Sequence, residues 1–468
     1  MFTIKVQDFG PIGEGTVTLR PLTVLIGPNN AGKSYFALLT HAVSRPFGRF
    51  RTFPPEDYLD YLLRLRIHPV ATTALSDSAI KWLAERSTVD GSTIFEELPA
   101  EIKDVLRAEV KTFVPNLAQA VTDELKRGFA ANLTDLTREH AGSGFRIWLG
   151  QSYPELRLSL SLAENQLQVE EAKWDISFRH LELSHLRKYP PEIFYDYIRA
   201  YMYGYLLSGF FSRSYYFPAA RSGILQGHKA LASSILSRVP LAGIEPLQIP
   251  TLSGVLVDFI GNVLRLERGH ADPEISEVGS FLEERACRGK VDISSVDAKF
   301  EYPEIRYQIE GYTMPLHRVS SMVSEIVPII LFLKHVVQKE DLLIIEEPEA
   351  HLHPDSQRTL AAAIVKLVRL GVRLIITTHS EYLLHQISNF VRLSGAASKR
   401  RELGYSEDDY LSPAEVGAYL FCFDGKGGAS HIEELRVTEQ DGIPEGDFAR
   451  IYEAIYDETL SIERTLQH

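Results

Sequence analysis

Gly27-Pro28-Asn29-Asn30-Ala31-Gly32-Lys33-Ser34 sets two glycines five positions apart and closes on a lysine and a hydroxyl residue. Glycines let backbone N–H groups turn inward around phosphate oxygens, and the positive end of a following helix adds to the attraction. In such a loop Lys33 reaches the β- and γ-phosphates and the Ser34 hydroxyl ligates Mg²⁺. The mechanism needs a strand before the loop and a helix after it. The sequence supplies both: Leu22 to Ile26 is short and apolar, and helical spacing runs from Ser34 to about Ser44, where Arg45-Pro46 should end it. These residues point to a nucleoside triphosphate.

A second group lies far along the chain. Leu342-Leu343-Ile344-Ile345 is wholly apolar and ends on Glu346 and Glu347. A carboxylate pair at a buried strand end divides the work, with Glu346 holding the Mg²⁺ shell and Glu347 polarising the attacking water as general base. After a helix, Asp355 to Leu370, and a strand, Val372 to Thr377, comes Thr377-Thr378-His379-Ser380, whose histidine could contact a γ-phosphate. Glu349, His351 and His353 together would suit zinc, but no neighbouring ligand cluster completes a site. Cys287 and Cys422 read as free core thiols.

These groups need a frame. The 468 residues allow two or three domains, and 45% hydrophobic with 24% charged residues is the balance of an ordinary soluble globular protein. A net charge of -13 argues against coating nucleic acid by bulk charge, while a local basic groove stays open. Two cysteines exclude a disulfide scaffold and point to a reducing cytoplasm. Apolar runs such as Ile326 to Leu333 are too short to span a bilayer, and the N-terminus alternates as a strand rather than as a signal peptide.

Along the chain, residues 1–50 read as a strand pair, the glycine loop and a helix. Residues 51–212 change character. Helical spacing over Ser76 to Glu85, Pro99 to Thr112 and Leu117 to His140 is broken by Pro115, and three antiparallel strands follow from Phe145 to Phe178. A tyrosine-rich helix, Pro191 to Phe211, closes the block, its rings better suited to packing than to base stacking. Residues 213–414 hold a strand at Ser214 to Pro218 and helices at Gly227 to Arg238 and Thr251 to Arg268. Strands at Lys290 to Val296 and Lys299 to Ile309 and a helix from Val323 to Gln338 precede the acid pair. Residues 415–468 read as a hairpin and a final helix.

The glycine loop, Glu346-Glu347-Pro348-Glu349-Ala350-His351-Leu352-His353-Pro354 and Thr377-Thr378-His379-Ser380 together resemble ABC-type ATPases of the RecF, SMC and OLD-like group. Phe9-Gly10-Pro11-Ile12 and Tyr216-Phe217-Pro218-Ala219-Ala220-Arg221 are similar to the AAA-family branch whose subunits recur in bacterial DNA-repair and phage-defence systems. The resemblance covers about residues 1–50 and 213–390. It implies an α/β fold, an ABC-type P-loop ATPase head with a helical and antiparallel-β insertion. It assigns Mg²⁺ to Glu346, catalysis to Glu347, a switch role to His379, and a subunit-facing D-loop to Glu349 through Pro354. The signature motif best matches Val319-Ser320-Ser321-Met322, with Ser320 the first choice for the phosphate contact and Ser321 the second. The family usually has glycine where Ser321 and Met322 stand. No glutamine is assigned to the Q-loop.

The expected function is an ATP- and Mg²⁺-dependent switch that dimerises head to head, each copy lending its signature serine to the other. A separate protein effector would read the switch, in anti-phage defence or DNA maintenance. The zinc-hook branch is excluded because its Cys-x-x-Cys and long coiled coil are missing, and the 89 residues after His379 are short for a Toprim nuclease domain. The alternative is a RecF-like protein that clamps DNA itself. Lys103, Arg107, Lys111, Lys126, Arg127 and Arg138 would serve it, but interleaved acids largely neutralise them.

Overall fold

Alternating apolar residues at the N-terminus form β1 (Phe2–Phe9), which buries Phe2, Ile4, Val6 and Phe9. A turn at Gly10, with φ 54°, leads into β2 (Ile12–Leu19), and β3 (Leu22–Ile26) follows with all five residues buried. Helix α1 (Lys33–Arg51) runs through Pro46, so Arg45-Pro46 does not end it. A proline inside a helix removes one backbone hydrogen bond. The buried stripe of Phe36, Ala37, Leu39, Ala42 and Val43 on the preceding turns outweighs that loss.

The computed structural model describes residues 1–51, 75–89, 91–138, 144–178, 181–188, 194–206, 213–227, 251–264, 266, 271–295, 303–423, 425, 428–444 and 446–466. They form two units, Met1–Thr18 with Leu39–Ser214, and Leu19–Leu38 with Tyr215–His468. The helix expected at Gly227 to Arg238 falls, beyond its first residue, outside the described residues, as do the start of the strand expected from Lys299 and both ends of the tyrosine-rich helix.

The first unit carries α2 (Asp77–Ser87), β4 (Ser92–Thr93), α3 (Ala100–Phe129), β5 (Arg146–Gln151), β6 (Leu156–Ala163), β7 (Gln166–Trp174), β8 (Leu181–Glu182) and α4 (Phe194–Leu206). Its strands run in the order β7-β6-β5-β1-β2, with β1, β5, β6 and β7 antiparallel to their neighbours among these four. Pro115 does not split α3, and the helix stops at Phe129 rather than near His140, capped by Ala130 in the left-handed conformation. Burial of Phe113, Val114, Leu117, Ala118, Val121 and Leu125 keeps α3 continuous through the proline, and Thr122 Oγ1 accepts the Leu167 N–H of β7 at 3.0 Å. The tyrosines of α4 pack. Tyr195 and Tyr203 donate to Glu109 at 2.7 and 3.2 Å, Tyr197 and Tyr205 donate to backbone carbonyls, and Tyr201 meets Phe178 edge-on.

The second unit continues with β9 (Ser214–Phe217), α5 (Gly254–Leu264), α6 (Pro273–Leu282), β10 (Lys290–Ser295), β11 (Pro303–Ile309), β12 (Tyr312–Pro315) and α7 (Ser321–His335). Then come β13 (Leu342–Glu346), α8 (Pro354–Arg369), β14 (Arg373–Thr378), α9 (Glu381–Arg392), β15 (Val416–Phe423), β16 (Ser430–Leu435) and α10 (Gly446–Leu466). Helix α6 has no counterpart in the sequence reading, although Asp272-Pro273 is a start signal: the Asp272 side chain accepts from the Glu274 and Ile275 N–H groups and proline fills the first helical position.

Strand order in this unit is β16-β15-β3-β14-β13-β9, and β15, β3, β14 and β13 are mutually parallel. Parallel strands buried on both faces read as unbroken apolar runs, as β3 and β13 do. The hairpin of the tail is therefore more than an appendage, since β15 lies directly beside the strand that carries the glycine loop. A separate antiparallel sheet, β10-β11-β12, sits in the same unit. Its core includes Phe217, Phe259 and Phe332, with Phe217 and Phe332 centroids 4.7 Å apart.

Candidate nucleotide site

Parallel order decides what can meet. With β14 between β3 and β13, the carboxyl ends of all three strands fall on one sheet edge, where open α/β sheets bind ligands. From that edge β3 delivers the glycine loop, β13 delivers Glu346 and Glu347, and β14 delivers His379. The glycine loop thus meets two segments more than three hundred residues further along the chain.

The loop is built by backbone conformation. Gly27 has φ 136° and Gly32 φ 100°, regions that residues with a Cβ avoid, and Asn30 takes the left-handed form at φ 64°. A Cβ on Gly27 would lie 2.4 Å from the Phe421 carbonyl oxygen of β15, so only glycine fits there. From β16, Ser430 Oγ donates to Ala31 O at 2.7 Å and pins the loop from outside. Pro28, Asn29 and Asn30 line the bend, with Asn29 exposed.

Lys33 is buried and folds back, its Nζ donating to Gly27 O and Pro28 O, both at 2.7 Å. Burial pulls its ammonium down to about 8, while the nearby Glu347 and Glu346 carboxylates oppose the shift. Both carboxylates thus act on the lysine's charge. An ammonium that donates to two neutral carbonyls is suited to exchange them for phosphate oxygens. Burial likewise lowers the His379 imidazole, with the Lys33 charge adding to the effect and Glu347 opposing it. Lys33, Glu347 and His379 therefore share one electrostatic neighbourhood.

Glu346 is aimed by its neighbours. Oε1 accepts from the Tyr216 hydroxyl at 2.8 Å and Oε2 from the Ala219 N–H at 3.1 Å. Burial, then the Glu346 charge, pushes the Tyr216 phenol well above its usual value, so it stays a donor. Each Glu346 oxygen keeps a lone pair, and a carboxylate with a Ser34 hydroxyl would offer the hard-oxygen donors that Mg²⁺ prefers. These residues fit the ion.

Glu347 sits at φ 43°, unusual for a residue with a side chain, and its N–H donates to Thr377 O at 3.0 Å and Thr377 Oγ1 at 3.2 Å. Glu349 turns inward. Its Oε1 accepts from Thr378 Oγ1 at 2.5 Å and from the His379 N–H at 3.0 Å, tying the turn after β13 to the end of β14. His353 caps α8, its Nδ1 accepting the Asp355 N–H at 3.3 Å. Glu349, His351 and His353 thus make no metal cluster. Among the described residues the three-ligand grouping is instead Cys422, His431 and Glu433, on the β15–β16 hairpin. Cys287 is buried and Cys422 half-buried, and neither is in a disulfide.

Ser320 is exposed and caps α7, its Oγ accepting the Val323 N–H at 3.4 Å, and Ser321 opens the helix, also exposed. Neither touches the glycine loop by any hydrogen bond among the described residues. Reading the sequence gave no role to Tyr216, Arg221, Glu325, Thr378 or Ser430. Arg221 was visible only as the last residue of Tyr216 to Arg221, and the partners that make it matter lie more than a hundred residues away.

Residues 264–384 match the family model for the AAA ATPase domain. The sequence matches none of the curated proteins. Among solved structures, the chain is similar to an SMC head bound to the C-terminal winged-helix domain of ScpA, at 9% identity over 94% of this chain and 98% of that one, TM-score 0.42. It is also similar to an SMC head with an extended coiled coil bound to the C-terminal domain of ScpA from Pyrococcus furiosus, at 10% identity over 97% and 100%, TM-score 0.39. A third is the SMC head domain from Thermotoga maritima, at 11% identity over 93% and 98%, TM-score 0.36. No helix among the described residues is long and apolar enough to cross a membrane.

Proposed function

We propose that this chain, whose residues 264–384 match the AAA ATPase domain, is an ABC-type ATPase head acting as a Mg²⁺-dependent ATP hydrolase and molecular switch. The observation that carries the reading is the convergence of Lys33, Glu346, Glu347 and His379 at the carboxyl edge of three adjacent parallel strands.

Each residue then has a task. The backbone N–H groups of Gly27 to Ser34 cradle the phosphates, and Lys33 leaves its two carbonyls to neutralise the β- and γ-phosphate charge. Ser34 and Glu346 hold Mg²⁺, which supplies charge neutralisation for the phosphate chain. Glu347 accepts the proton of the attacking water, and His379 contacts the γ-phosphate oxygens. Ser320, with Ser321 beside it, lies on the exposed start of α7, where it is open to a second copy's nucleotide.

The switch is a head-to-head homodimer closed on two ATP molecules and read by a separate protein effector. We take residues 1–50 and 213–414 as the head, 51–212 as the insertion that moves, and 415–468 as the closing hairpin and helix. Anti-phage defence or DNA maintenance in the cytoplasm is the setting the family resemblance favours. Direct DNA clamping is the weaker reading, because Arg107 and Arg127 pair with Asp104 and Glu124, and Lys103 donates to Glu96 O. The test is Glu347→Gln, which keeps shape and removes the base. ATP should still bind while turnover falls by about 10²–10⁴-fold. Near-normal turnover would move the base elsewhere, with His379 the next residue to replace.

A further inference from the structure

Arg221 is completely buried, an unusual place for a guanidinium. Its Nη1 donates to Glu346 O at 2.8 Å and its Nη2 to Glu347 O at 3.1 Å, the main-chain carbonyls of both acids. Its Nε donates to Glu325 O at 2.8 Å and lies 3.3 Å from Glu325 Oε2. Glu325 is itself buried and takes a further hydrogen bond from Ser222 Oγ. One side chain thus clamps α7 to the end of β13.

The two ends of this clamp are functionally unlike. Glu325 lies five residues into α7 from its cap, Ser320, or about 7 Å along the axis at 1.5 Å per residue. Helix α7 is buried without a break from Val323 to Leu333, so a displacement at its exposed tip carries to Glu325 rather than dissipating. At the other end, Glu347 holds a left-handed backbone at φ 43°. Such conformations persist only where the surroundings over-determine them, and here the constraints are Thr377 on the N–H and, on the carbonyl, Arg221 together with the Ala350 N–H at 3.0 Å. A planar, five-donor fork can span three carbonyls on two segments, which a lysine cannot.

We propose that Arg221, paired with Glu325, is a positioning residue that couples the place of Ser320 at the tip of α7 to the orientation of Glu346 and Glu347. Engagement of Ser320 by a second copy's nucleotide would then set the acids for hydrolysis, and binding alone would not. This rests on Glu347 as the base and Ser320 as the intersubunit contact.

The experiment uses the full chain and the cycle of Arg221→Lys, Ser320→Ala and the double variant, with near-ultraviolet circular dichroism as the check on packing. A fluorescent ATP analogue reports affinity and steady-state assays report kcat and KM. Arg221→Lys should leave affinity and KM within about threefold and lower kcat by about tenfold to a hundredfold, the scale set by misplacing a catalytic group by about 1 Å. Ser320→Ala should also lower kcat, and the double variant should be no slower than the slower single variant. Additive losses, a kcat within about twofold of wild type, or a parallel collapse of ATP affinity would overturn the coupling. If Arg221→Lys does not fold, Glu325→Gln takes its place in the same cycle, since it keeps the hydrogen-bonding shape. An unchanged kcat there, or additivity with Ser320→Ala, overturns the proposal equally. A failure of the site reading itself looks different, because the wild type would then not hydrolyse ATP, or Glu347→Gln would hydrolyse it normally.

Discussion

His41 illustrates how burial sets one residue's response to acid. It is enclosed, its Nδ1 lies 2.8 Å from Ser214 Oγ, and burial first and the Arg45 charge second lower its imidazole to about 3. An unfolded histidine takes its proton near pH ~6.5. Between there and about pH 3 the unfolded chain binds a proton that the folded chain refuses, so stability falls as pH falls, by up to about 1.4 kcal/mol per pH unit. His41→Gln removes that proton from the balance. Denaturant unfolding at pH ~7, ~5.5 and ~4.5 should show the variant losing less stability than wild type across the series. Equal slopes would show that His41 is protonated in the fold. At this scale, legibility from sequence depended on distance along the chain. Lys33 and Ser34 announced themselves through a local spacing, and Glu346 and Glu347 through an apolar run. Tyr216 and Arg221 act on Glu346 and Glu325 across more than a hundred residues, and no local pattern encodes that.

Elements were legible where periodicity was strong and misread where a single residue was given too much weight. Pro46 and Pro115, expected to end or break helices, each lie inside a continuous one, as Pro328 does in the helix expected from Val323 to Gln338, because a proline penalty of about 3 kcal/mol is smaller than the burial of several large apolar side chains at about 1.5–3 kcal/mol each. Position in the sheet was also invisible. An apolar strand such as β15 shows its neighbours only in three dimensions, and it proves to be the wall against which the glycine loop is built. That wall makes a prediction. Gly27→Ala combines an unfavourable backbone at φ 136° with a Cβ 2.4 Å from the Phe421 carbonyl, which cannot move without breaking the sheet. It should cost about 3 kcal/mol or more and abolish ATP binding. Gly404→Ala is the control, since Gly404 has φ 83° and open space around it, and it should cost about 1 kcal/mol with ATP binding unchanged. Thermal unfolding and fluorescent-nucleotide titration measure both. Equal effects at the two glycines would mean that backbone strain alone, and no contact with β15, governs the loop.

At the scale of the whole molecule the question is whether one copy is a complete enzyme. Within the second unit the glycine loop, Glu346, Glu347 and His379 share one sheet edge, whereas Ser320 caps a helix with its hydroxyl turned to its own Val323 N–H and its surface open. On the proposed reading, Ser320 serves the loop of a second copy rather than its own. In a two-fold dimer each site would then combine the loop of one copy with the helix tip of the other. Lys33→Ala disables the loop and spares the tip, while Ser320→Arg spares the loop and blocks the tip with a bulky cation. Neither homodimer has a working site. A heterodimer of the two has one site with both parts intact and one with neither. Purified through two different tags, it should recover roughly half of the wild-type rate per dimer, and each parent should stay near background. Recovery depends on both copies, so diluting the heterodimer below its dissociation constant should abolish it. A heterodimer that forms but hydrolyses no faster than either parent would mean that Ser320 acts on its own copy's nucleotide or on none, and the switch would have to work without a shared site.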